Sequence, residues 1–194
     1  MSDELTMQEG AFQDGTPQEG ENPSGAPGAP AEDILQGLAP RVSKKTAPAR
    51  IIEYTEGHRL ALPLHTTLEI VEDPEIVPVP GAAPHAIGIL LWQDNWIAVV
   101  DLARLLLPQE VIAGEDKPKY VLVLAYQRVP GQPLEYCAVV LPVLPATTFV
   151  DNDMFCDLPE DSPIWPQISL SCFSYQDQPT PIVDTGRLFG RSYE

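Results

Sequence analysis

From residue 50 onward, apolar residues come in short runs broken by turn formers, which is the pattern of short strands. Residues 51–54 (Ile-Ile-Glu-Tyr) predict a first strand, Glu56-Gly57 a turn, and residues 58–64 a returning strand. Residues 66–71, β-branched and apolar, predict a third. A connection punctuated by Pro74, Pro78, Pro80 and Pro84 follows. Residues 87–92 and 96–100 flank Gln93-Asp94-Asn95 and predict a hairpin. Asp94-Asn95 is the expected turn, because both residue types tolerate positive φ better than most. Asp101 ends the second strand and is placed to cap a short helix over 102–107, which Pro108 follows. A polar link over 109–118 leads to another predicted hairpin, 120–126 and 134–141, around Pro130-Gly131.

The chain repeats itself. At an offset of 83 residues, Gln93-Asp94 falls on Gln176-Asp177, and Val99-Val100-Asp101 on Ile182-Val183-Asp184. Arg104-Leu105-Leu106 falls on Arg187-Leu188-Phe189, Trp92 on Tyr175 and Leu90 on Phe173. At an offset of 79, Leu62-Pro63 falls on Leu141-Pro142, so a four-residue insertion separates the two registers. Each copy is a β-rich unit ending in hairpin, Asp and short helix. Neither copy is large enough for a generous core alone, so each is expected to lean on the other. Short strands at turn spacing predict two small barrels, since closure hides sheet edges. The paired Asp101 and Asp184 fit either a helix cap or a shared carboxylate site. Their placement at the same corner of separate copies favours the cap.

Composition sharpens this picture. The 194 residues include 22 prolines, about twice the usual share, which disfavours long helices. Residues 1–40 hold eight acids, no Lys or Arg, and a run of Pro, Gly and Ala; residues 1–48 are expected to be a disordered acidic tail. Ile34, Leu35 and Leu38 within it have helical spacing and fit either a docking motif or a chance cluster, the latter favoured because short isolated helices are unstable. The net charge of −17 argues against nucleic acid or anionic lipid as the main partner. No window is long and apolar enough to span a bilayer, and the acidic N-terminus has no secretory signal pattern. A soluble cytoplasmic protein is expected. Cys137, Cys156 and Cys172 are odd in number and lack CxxC spacing, so they are expected as reduced thiols that pack in the core.

Candidate chemistry is sparse. Of the three histidines, His58 is expected to be solvated, His65 structural on a strand, and His85 in the Pro84 loop. No metal-binding, nucleophile-elbow or phosphate-cradling motif is present, so catalysis, cofactor and metal are not expected. Trp92 and Trp96 flank the hairpin turn, and each can pack in a barrel or anchor a partner. Alternation puts Trp92 on one face with Leu90 and Gly88, and Trp96 on one face with Ala98 and Val100. One is expected in the core and the other at an interface.

Glu75-Ile76-Val77-Pro78-Val79-Pro80, then Pro84, Ile87-Gly88, the hairpin, and Val99-Val100-Asp101-Leu102 together resemble the CheW-like domain. So do Thr67-Leu68-Glu69-Ile70 and the C-terminal segment from Ile182-Val183-Asp184 to Phe189. The resemblance covers about residues 50–190, within a domain expected over residues 49–194, and implies an all-β fold with short helices, built as two pseudo-symmetric, intertwined, five-stranded, SH3-like β-barrels. It also implies a non-catalytic adaptor without cofactors. The implied partners are the regulatory domain of a CheA-type histidine kinase and the cytoplasmic tip of a chemoreceptor, in chemotaxis or type IV pilus motility. The expected contact residues are Ile70, Leu90, Trp92, Gln93 and Trp96. One departure stands out: where the family's first hairpin reads Asn-Leu-Arg-Gly, this chain has Leu91-Trp92-Gln93-Asp94, and Ala98 stands in place of a proline. Gln93 cannot form the bidentate charge pair that an Arg can. The alternative reading is a divergent barrel module that binds or sequesters another protein outside a standard receptor array.

Overall fold

The structure, a computed structural model, describes residues 45–108 and 117–190. The tail to residue 44, with its Ile34-Leu35-Leu38 cluster, and most of the 109–118 link lie outside the described residues. Among the described residues eleven strands run β1 (Ala47–Thr55), β2 (His58–Pro63), β3 (Thr67–Glu72), β4 (Ile76–Val77), β5 (Ala86–Trp92), β6 (Asn95–Val100), β7 (Tyr120–Tyr126), β8 (Glu135–Leu141), β9 (Ala146–Val150), β10 (Ser169–Tyr175) and β11 (Gln178–Val183). Among the described residues the α-helices are short, α1 (Leu102–Leu106), α2 (Trp165–Ile168) and α3 (Thr185–Phe189), with 3-10 turns over Leu64–Thr66 and Asn152–Met154. None of these helices is long and apolar enough to cross a membrane. β1 begins two residues before the expected domain boundary, and Ala47 and Pro48 pair with Val150 and Phe149.

Two curled sheets divide the strands. One has the order β10-β11-β2-β1-β9; the other has the order β3-β7-β8-β6-β5-β4 and so carries a sixth strand of two residues. The sequence copies are interleaved: the N-terminal hairpin β1-β2 belongs to the sheet of the C-terminal hairpin β10-β11. The splices are parallel, β11 with β2 through Ile182 and Ala61, and β6 with β8 through Ala98–Cys137 to Val100–Val139. Each copy therefore does lean on the other.

Strand alternation sends one face of each sheet to a barrel interior and the other to a shared core. Ile52, Tyr54, Leu60 and Leu62 from one sheet meet Leu122, Leu124, Cys137 and Val139 from the other, with Leu102, Trp165 and Leu188 added by the helices. Leu90, Ile97, Val99, Val121 and Val123 fill one barrel. Ala49, Ile51, Ala61 and Phe173 fill the second. Trp165 is fully buried, and its indole N–H donates to Asp161 at 2.6 Å, which removes the cost of burying that polar group.

The repeat extends to individual hydrogen bonds. Both Asp101 and Asp184 cap the helix that follows them: Asp101 Oδ1 accepts from the amides of Ala103 and Arg104, and Asp184 Oδ1 from those of Gly186 and Arg187. The Asp101 amide donates to His85 O at 2.8 Å and the Asp184 amide to Ile168 O at 2.9 Å. These two acceptors are again 83 residues apart. In each helix an Arg folds back on the cap, Arg104 Nε at 3.2 Å and Arg187 Nε at 3.5 Å. The capping reading of these aspartates holds, and they lie in different sheets' corners, not in one site.

Candidate interaction surfaces

The β5-β6 hairpin turns at Gln93-Asp94, with φ of 45° and 63°, and not at Asp94-Asn95. Trp92 pairs with Asn95, leaving a two-residue loop, and Asn95 Nδ2 donates to Gln93 O at 2.9 Å. That side-chain bond fixes a turn in which a Gln adopts positive φ. Gln93 is thereby held at the exposed tip. The second copy turns the same way at Gln176-Asp177, with φ of 52° and 60°.

Alternation around this turn builds an outward apolar stripe. Leu91 pairs with Trp96, and they are 53% and 60% exposed. Beside them Val77 pairs with Ile89, which pairs in turn with Ala98. Gly88 lets β4 approach: a Cβ there would lie 2.5 Å from Val77 O and 2.7 Å from Ile76 Cγ2. The stripe is thus the outer face of three strands, and it stands on an otherwise acidic protein.

The five expected contact residues part company. Leu90 is only 5% exposed and belongs to the barrel interior, because it alternates with Leu91; it supports the stripe from beneath and is corrected from contact to core. Trp92 is half-buried in the same barrel, its ring 5.3 Å from Tyr136 and its N–H donating to Glu69 at 2.7 Å. Ile70 is half-buried and packs on the shared core, on the other face of its sheet from the barrel that holds Trp92. Gln93 and Trp96 are exposed on the hairpin. So one Trp is largely core and the other is surface. Leu91 was not among the expected contacts, although alternation opposite Leu90 was the signal for it.

A second surface is a groove of about 900 Å³ between the sheets. Leu68, Leu134 and Leu170 line it and are each about half exposed. Its charges are already paired: Arg128 meets Glu135 at 2.9 Å, and Arg187 meets Asp184. Tyr126, also in the lining, donates to Glu135 at 3.1 Å, and burial raises its phenol above the ordinary tyrosine value. At the groove's end α3 lies against β7, with Thr185 Oγ1 donating to Ala125 O at 3.4 Å.

His58 and His65 sit in different settings. His58 accompanies the Glu56 carbonyl at 3.1 Å and Asp161 at 3.9 Å, so it is partly tied down. His65 is exposed in a one-turn helix over Leu64–Thr66, not on a strand. Among the described residues no group of three or more His, Cys, Asp or Glu is placed to hold a metal ion. The thiols differ from one another: Cys137 is buried in the shared core, whereas Cys156 and Cys172 lie 3.5 Å apart.

Comparison with known proteins agrees with the geometry. Residues 54–151 match the model of the CheW-like domain. The fold is similar to that of the scaffolding protein TtCheW from Thermoanaerobacter tengcongensis, with a TM-score of 0.60 and 16% identity, over 75% of this chain and 93% of that one. No curated protein sequence matches the chain.

Proposed function

Because the chain belongs to the CheW-like family, we propose that it is a non-catalytic adaptor that works in the cytoplasm in chemosensory signalling. In this reading the stripe on β5 and β6 holds the regulatory domain of a CheA-type histidine kinase. The groove takes the cytoplasmic tip of a chemoreceptor. The observation that carries the reading is the outward Leu91–Trp96 pair. Two large apolar side chains side by side on the outer face of a barrel hairpin are what a protein interface uses as anchors. The groove's three exposed leucines supply an apolar cleft of the kind that receives helical segments. No bond is made or broken; the adaptor would act by favouring one arrangement of its partners.

The departure at Gln93 shapes this reading. A neutral amide at the hairpin tip makes the apolar stripe, not a charge pair, the main source of affinity. Calorimetric titration of the full chain against the regulatory domains of CheA-type kinases from the same organism tests the proposal. Micromolar binding supports it. Absence of binding to every such domain favours the second reading, a barrel module that binds or sequesters a partner outside receptor arrays, for which the missing Arg is the specific observation.

A further inference from the structure

The two halves of the protein treat one pair of positions differently. In the first half, β4 pairs with β5 through Ile76–Leu90 and Val77–Ile89. In the second half, the counterpart of β4 is the segment Phe155-Cys156, displaced by 79 residues. Phe155 bridges Phe173 in antiparallel fashion, and the Cys156 amide donates to Cys172 O at 3.2 Å. Cys156 and Cys172 therefore occupy the places of Val77 and Ile89, directly opposed across a hydrogen-bonded antiparallel pair. Such pairs hold their Cα atoms roughly 5.5 Å apart, inside the range of about 4.4–6.8 Å that a disulfide spans. The sulfurs are 3.5 Å apart with both thiols free. A bond of about 2.05 Å needs only side-chain rotation.

We propose that Cys156 and Cys172 form a reversible disulfide by exchange with a low-molecular-weight disulfide, and that this bond locks the Phe155-Cys156 segment onto β10. Access sets the order of steps. Cys156 is half-buried and open to solvent, whereas Cys172 is buried. Burial first, and then the neighbouring Cys156 sulfur, push the Cys172 thiol up to about 12, so it is a poor attacking group near neutral pH. The Cys156 thiolate attacks one sulfur of the incoming disulfide, whose S–S bond breaks and releases one thiolate. Cys172 then gives up its proton and attacks the Cys156 sulfur of the mixed disulfide. The second small thiol leaves. Two protein thiols are oxidised, one small disulfide is reduced to two thiols, and both protons end on those leaving groups. The half-exposed Cys156 is the sulfur that the small disulfide reaches from solvent, and a cavity of about 290 Å³ lined by Cys172, Phe155 and Lys45 lies beside its buried partner.

The consequence is mechanical. Phe155 is 69% exposed, and its segment is tied to β10 by a single isolated bridge. A covalent link there closes the second barrel between β9 and β10.

The test uses the full chain, reduced and then equilibrated with mixtures of oxidised and reduced glutathione. The expected result is an internal bond between the Cys156 and Cys172 peptides, located by mass mapping without reduction. The melting temperature should rise by about 5 °C or more, as closing a loop of this length predicts. Cys137→Ser retains both effects, and Cys156→Ser, at a half-exposed position, loses both. A glutathione adduct that persists on Cys156, an internal bond to Cys137, or no oxidation in any mixture overturns the proposal. A Cys156–Cys172 bond that leaves the melting temperature unchanged overturns the locking role.

Discussion

The β5-β6 and β10-β11 hairpins are two printings of one piece of architecture with different outer faces. Both turn at Gln-Asp with positive φ, both end in a capping Asp, and both carry a bulge at equivalent places, between Ala86 and Gly88 and between Ser169 and Ser171. Inward positions stay large and buried in each, Leu90 against Phe173. The outward pair does not survive the copy. Leu91–Trp96 in the first hairpin corresponds to Ser174–Pro179 in the second. What the fold needs is duplicated, and what differs is what faces the solvent. The apolar stripe is therefore no by-product of the barrel, since the same barrel element is built without one.

Substitutions in one hairpin, with the matched change in the other, sharpen this contrast. The largest effect is expected for Trp96→Ala. It should weaken binding of the kinase regulatory domain by about thirtyfold, the loss of a central aromatic anchor, while Pro179→Ala leaves affinity unchanged; titration of both variants checks this. Gly88→Ser should destabilise by about 2 kcal/mol, because its Cβ has no room beside Val77 O. The counterpart Ser171 already carries a side chain, so Ser171→Gly should cost about 1 kcal/mol or less. Urea denaturation of the pair separates the two. Asp101→Ala and Asp184→Ala should each cost about 1 kcal/mol, and by similar amounts, because each cap makes the same two hydrogen bonds. Unequal losses beyond a factor of two or three would show that the two corners are not energetically equivalent. The smallest effect is expected at the tip: Gln93→Arg should strengthen kinase binding by about threefold, the scale of an exposed charge pair, with the gain erased by high salt.

Alkaline pH gives a fifth test, directed at the shared core. Burial raises the Cys137 thiol well above its ordinary value. The folded protein thus keeps a proton that the unfolded chain loses near pH 8.5. The stability linked to this thiol is fully present below that pH and declines as pH rises toward the folded value. Cys137→Ala should flatten that decline in denaturation measured from pH 7 to 10.

Much of this was legible along the chain. Apart from the two-residue β4, which lies in what reads as a proline-punctuated connection, the strands from residue 51 to 141 were marked by apolar runs and turn residues, and the repeat by the shared Gln-Asp, Val-Asp and Arg-Leu spacing. Local chemistry also made the Asp caps readable. What escaped depends on contacts distant in sequence. Nothing in the repeat says that β11 joins β2, because a single parallel bridging pair, Ile182 and Ala61, carries that splice. β9 lies among prolines and threonines and becomes a strand only by pairing with β1. Trp165 sits in an insertion that one copy lacks, so the repeat could not place it. The turn was read one residue late because Asn95 suits positive φ better than Gln93; the strand register decided otherwise. Cys156 and Cys172 looked unrelated at a separation of sixteen residues until the counterpart of β4 brought them together.

Hydrogen–deuterium exchange on the full chain, with and without a CheA-type regulatory domain, tests the central claim most directly because both hairpins report in one experiment. The account predicts slowed exchange in peptides spanning residues 76–77 and 89–98, with residues 172–181 unchanged. Slowing in the second hairpin alone, or equally in both, would contradict it.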